Sequence, residues 1–163
     1  MVVKSELLIR RAEMSGEFFL MGELAVRAWR TAARNIVLTD ESRAGLQAKF
    51  LRDLYENADG VLLAERSGEI CGWGARVPKS NYISDLWIDP AHHGQGLGGA
   101  LLDALMAQIV LNGFSDAEIG THADNLPAIG LYEKLGFRIY QRSEEWSASF
   151  ERNLEKVRMR ADL

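Results

Sequence analysis

With one cysteine, Cys71, in 163 residues, the chain has no intrachain disulfide and no thiolate cluster to hold a metal. Flanked by Ile70, Gly72 and Trp73, Cys71 reads as a buried small hydrophobe rather than a nucleophile. Long hydrophobic runs are also missing. No apolar stretch approaches the roughly 20 residues a spanning helix needs, and the opening MVVKSELLIRRAEMSGEF has no long apolar segment followed by a small-residue cleavage site. A soluble, cytoplasmic protein without a membrane partner is expected. Basic charge is scarce too: 19 Lys and Arg stand against 23 Asp and Glu, a formal balance of −4. No basic block is available to neutralise a run of phosphates, so nucleic acid is not an expected partner. The Walker loop G-x-x-x-x-G-K-[ST] occurs nowhere, and neither repeats nor linkers stand out.

The 47% of residues that are hydrophobic suffice for one substantial core, and the length is short for two, so a single domain over residues 1–163 is expected. Glu6 to Arg11 reads as a strand, and Glu13 to Arg34 carries apolar residues at helical spacing. Thr39 reads as the N-cap of a second helix to Tyr55, ended by the stretch from Asn57 to Gly60. Strands follow at Val61 to Glu65 and Ile70 to Val77, joined by the hairpin-like RSGE, and at Tyr82 to Ile88, which Pro90 stops. Leu97, Leu101, Leu105 and Ile109 mark a third helix. A strand at Ala117 to Thr121, a helix at Leu126 to Leu135, and strands at Phe137 to Arg142 and Leu154 to Met159 complete the chain. The result is a mixed α/β layout around one largely antiparallel sheet.

The segment DPAHHGQGLGGALL contains Gly94, Gly96 and Gly99 in the spacing G-x-G-x-x-G. A dinucleotide fold places that turn after its first strand, with an acid ending the next strand. Here six elements precede the glycines, and Asp116 and Glu118 begin the following strand, so a nicotinamide or flavin site is disfavoured. Four glycines at 94, 96, 98 and 99 still leave backbone N–H groups uncovered at a helix N-terminus, where the dipole favours negative charge. That is a pyrophosphate cradle.

The chain here resembles the GCN5-related N-acetyltransferases. Their loop [QR]-x-x-G-x-[GA] is matched by His93, Gly94, Gln95, Gly96, Leu97 and Gly98, with His93 in place of the usual Gln or Arg. Their second signature, N-x-x-A-x-x-x-Y-x-x-x-G-F, is matched by Asn125, Ala128, Tyr132, Gly136 and Phe137. The resemblance implies a splayed, mostly antiparallel sheet with helices on both faces, and acetyl-CoA as acyl donor without a metal. It implies that Leu86, Trp87 and Ile88 contact the pantetheine arm by backbone, that His93 to Gly99 hold the pyrophosphate, that Asn125 bonds the arm, and that Tyr132 addresses the sulfur.

Acyl transfer also needs a base for the amine. Tyr82 stands where several family members carry a glutamate, so the base is open between Asp85 and His122, acting directly or through water. His122 could equally be a solvated or capping histidine, Asp85 a turn carboxylate, and Tyr132 a packed aromatic. For the acceptor, the resemblance points to Trp29, Arg30 and Arg34 on one side and Glu144, Glu145 and Trp146 on the other. Aromatics with carboxylates suit a cation and arginines suit a carboxylate. The expected acceptor is a small-molecule, amino-acid or peptide amine. A protein N-terminus or lysine, a non-catalytic acyl-CoA-binding module, and a homodimer stay open.

Overall fold

The computed structural model describes residues 6–13, 15–32, 39–147 and 152–163. Its elements are β1 (Leu7–Arg10), α1 (Ser15–Ala32), α2 (Asp40–Glu56), β2 (Val61–Arg66), β3 (Glu69–Arg76), β4 (Tyr82–Ile88), α3 (Leu97–Leu111), β5 (Asp116–His122), α4 (Leu126–Lys134), β6 (Arg138–Ser147) and β7 (Arg152–Asp162). Their order is the one read from the sequence.

Local chemistry sets several of these boundaries. Thr39 Oγ1 accepts from the Ser42 N–H at 3.0 Å and caps α2, whose Leu46, Phe50 and Leu54 are buried. Asn125 Oδ1 accepts from the Ala128 N–H at 3.4 Å and caps α4. Gly136, at φ +95°, turns the chain out of that helix. The last hairpin is longer than expected, because the polar run QRSEEWS in β6 hides its strand character on an exposed sheet edge.

One seven-stranded sheet runs β1-β2-β3-β4-β5-β7-β6, and its only parallel pair among the described strands is β4 with β5. Alternation along β2 divides the core: Leu62 and Ala64 join α3 and α4 on one face, while Val61 and Leu63 join α1 and α2 on the other. Cys71 is fully buried, and burial pushes its thiol pKa up. No described helix is long and apolar enough to cross a membrane.

The sheet parts in its middle. β4 pairs with β5 only through Tyr82↔Glu118 and Ile83↔Ile119, whereas β4 stays paired with β3 as far as Ile88. The register of β3 on β4 passes from Arg76↔Ile83 to Ala75↔Asp85, leaving Ser84 as the extra residue. Such a bulge bends and twists its strand, so β4 leaves β5 and a wedge opens between them.

Candidate active site

Along the open edge the backbone of β4 is available. Asp89 N–H donates to Cys71 O at 2.9 Å, and alternation then turns the N–H and C=O of Leu86 and Ile88 away from β3 toward the wedge. His93 lies against that edge, its Nε2 3.3 Å from Ile88 O. The Leu86 and Ile88 side chains pack into the α3 and α4 core, while Trp87 faces the other way, edge-on to Phe50 with ring centroids 5.0 Å apart.

At one end of the wedge lies the glycine loop. Gly94 and Gly96 both hold φ +77°, a conformation side chains disfavour, and no atom lies within 4 Å of where their Cβ atoms would stand. Gly96 caps α3 without a side chain, so the first-turn N–H groups of that helix face outward. Gly98 serves packing instead, since a Cβ there would sit 2.9 Å from Leu131 Cδ2 and its absence lets α4 approach α3. Gly99 has open space around it, and the Leu97 side chain is buried, leaving only its backbone for a ligand. Arg66, which no sequence motif marked, donates to Gln95 Oε1 from the end of β2, and its Nε is buried without a partner. A guanidinium beside an open backbone cradle suits the phosphates of a nucleotide donor.

Toward the other side of the wedge is a cleft of about 330 Å³, lined by aromatics of α1, α2 and β4 and by polar residues of β4, β5, β6 and β7. Asp85 belongs to this lining and is 8% exposed. Its Oδ1 accepts from Trp87 Nε1 at 3.1 Å and its Oδ2 from Ser84 Oγ at 3.0 Å. Burial nonetheless raises its pKa above the ordinary carboxylate range, against those two donors. His122 also lines the cleft, at the end of β5, and burial and then Lys156 lower its pKa. Tyr132 is buried beside Phe137, with ring centroids 6.1 Å apart, and burial pushes its phenol up to about 12, with Tyr82 adding to the effect. The phenol is therefore neutral at any physiological pH. Asn125 lines the cleft while its Nδ2 donates to Thr121 Oγ1 at 3.1 Å and its Oδ1 caps α4.

Among the expected acceptor residues, Trp29 is buried and lines the cleft. Arg30 is exposed and outside the lining, and Arg34 lies outside the described residues. Alternation along β6 turns Glu144 and the 63% exposed Trp146 away and brings Glu145 in. Lys49, Lys156 and Arg158 complete the charge of the cleft, and none of them was expected there from the sequence. A signal for the last two exists in β7, where Val157, Met159 and Ala161 are the buried apolar positions and the intervening Lys156, Arg158 and Arg160 take the opposite face.

Known proteins share this architecture. The acetyltransferase (GNAT) family model matches residues 23–137. Mycothiol acetyltransferase of Streptomyces bingchenggensis is 30% identical over 102 residues, covering 56% of this chain and 33% of that protein. The chain thus spans about a third of the length of that curated relative. A putative acetyltransferase of Salmonella typhimurium, solved with acetyl-CoA, superposes with a TM-score of 0.69 at 25% identity, covering 98% of this chain and 95% of that one. A GCN5-related N-acetyltransferase structure from Rhodopseudomonas palustris gives a TM-score of 0.78 at 18% identity, over 100% of this chain and 99% of that one.

Proposed function

Since the chain belongs to the GNAT acetyltransferase family, we propose that it moves an acetyl group from acetyl-CoA directly to a primary amine of a small molecule, amino acid or peptide. The observation that carries this reading is the parting of β4 from β5 after two residue pairs. It sets an unpaired strand edge between an open glycine loop and a cleft that holds a buried carboxylate.

Acetyl-CoA supplies the activated thioester. The N–H groups from Gly94 to Gly99 and the Arg66 guanidinium would bind its phosphates, and Leu86 and Ile88 would pair with its pantetheine arm along β4, as an added strand does. The N–H groups of the β4 edge are also donors for a carbonyl oxygen that gains charge. Asp85 is the group to accept the proton of the amine. It lies one residue from the open edge, and its raised pKa makes it a stronger base than a solvated carboxylate. His122, whose pKa is lowered, stays neutral and positions the acceptor. Tyr132, neutral and buried, donates to the sulfur as it leaves. The reading implies a cytoplasmic setting.

Two measurements test it. Acetyl-CoA at about 100 times its Kd should stabilise the fold by ~2.7 kcal/mol, roughly 5–10 °C in Tm, while NADH should not. Thiol release should then depend on an added amine across a panel of amines, amino acids and peptides. No shift with saturating acetyl-CoA would end the reading.

A further inference from the structure

We propose that the acceptor carries a carboxylate as well as its amine, and that Lys156 and Arg158 hold that carboxylate. The inference rests on the acetyl-transfer reading and goes beyond it by naming the substrate class.

Both cations line the cleft, as does Val157 between them, and alternation along β7 sets their side chains opposite those of the fully buried Val157 and Met159. Two residues apart on one strand, they are separated by about 7 Å, a spacing that long side chains close around one anion. In register, Lys156 lies opposite His122 and Arg158 opposite Gly120. A Cβ at Gly120 would stand 3.4 Å from Val157 O and 3.8 Å from Tyr82 Oη, so the residue opposite Arg158 adds no side chain to the cleft.

Charge pairing within the cleft leaves these two cations available. Lys49 is neutralised by Asp53 at 2.9 Å. Arg158 reaches Glu145 only at 3.9 Å. Lys156 makes no ion pair with a described carboxylate. The base, Asp85, stands across the wedge on β4, with β5 between it and β7. Two paired-strand spacings come to about 10 Å, the wedge at Asp85 adds to that, and the reach of the Lys and Arg side chains brings the span back toward that of a zwitterion. Trp29, Phe50 and Trp87 wall the remaining side, which suits an apolar substituent between the two charges.

The source of the amine and carboxylate can be a free amino acid or a short peptide with a free C-terminus. The test therefore uses phenylalanine and a short apolar peptide, each beside its C-terminal amide, with phenethylamine as the decarboxylated analogue. Thiol release is the readout. For at least one of the two sources, kcat/KM should exceed that of the amide by about tenfold or more, mainly through KM. Lys156→Gln and Arg158→Gln should each lower kcat/KM for that acceptor by about 10- to 100-fold. The same variants should narrow the gap between the carboxylate and its amide, because the amide lacks the group they hold. Each should retain the acetyl-CoA-induced Tm shift, which shows that it is folded and binds donor. The proposal is overturned if amides and phenethylamine match the carboxylates, or if the variants slow every acceptor alike. In either case acetyl transfer itself stands. Absence of thiol release with every amine would instead remove the underlying reading, and this proposal with it.

Discussion

Replacing Asp85 by asparagine should raise stability and lower activity together. The substitution keeps the shape and an oxygen able to accept from Trp87 Nε1, so the bonds now made at 3.1 and 3.0 Å have counterparts. What it removes is a charge buried at 8% exposure. Because the folded pKa of Asp85 is raised above its unfolded value, the native state binds more protons than the unfolded chain. The contribution of Asp85 to stability is full below its unfolded pKa of about 3.9 and is lost as pH rises through the folded value. Asparagine does not titrate, so the gain over wild type should be absent near pH 3 and complete above the folded pKa. Every tenfold bias toward the protonated carboxyl is worth about 1.4 kcal/mol, or roughly 3–6 °C in Tm for a chain of this size. If Asp85 accepts the amine proton, kcat/KM should fall by about 10²–10⁴ with acetyl-CoA binding retained. Thermal melts from pH 3 to 8 and thiol-release kinetics across the same range read both effects. A lower Tm at pH 7 would refute the burial argument, and activity within threefold of wild type would refute the base.

Three further outcomes are expected. His122→Ala should cost less in kcat/KM than Asp85→Asn and should preserve the acidic limb of the pH profile; a lost limb would move the base to His122. Tyr132→Phe should lower kcat by about 10–10³ with little change in acetyl-CoA affinity, and the wild type should show no alkaline decline below pH 10 from a phenol held near 12. Gly98→Val should lose ~1–3 kcal/mol by driving against Leu131, with partial recovery in Gly98→Val/Leu131→Ala. Gly96→Val, strained at φ +77° but in open space, should chiefly abolish the acetyl-CoA shift; equal behaviour of the two variants would erase the division of labour between these glycines.

What the sequence determined by itself is local. Apolar periodicity, the Thr39 and Asn125 caps and the Gly136 stop depend on neighbours a few residues away, so the order of all eleven elements was legible. The glycine loop and the motif from Asn125 to Phe137 were legible for the same reason. Tertiary structure decided which side chains share the cleft. Asp85, His122, Lys156 and Arg158 meet there because β4, β5 and β7 are neighbours in the sheet and because a bulge at Ser84 parts the first two. Arg30, Glu144 and Trp146 were equally charged or aromatic in the sequence, yet the phase of α1 and β6 directs them elsewhere. Shifting a strand by one residue exchanges its two faces. In a polar edge strand such as β6, no hydrophobic alternation marks that phase, so only pairing with β7 fixed which of Glu144 and Glu145 enters the site.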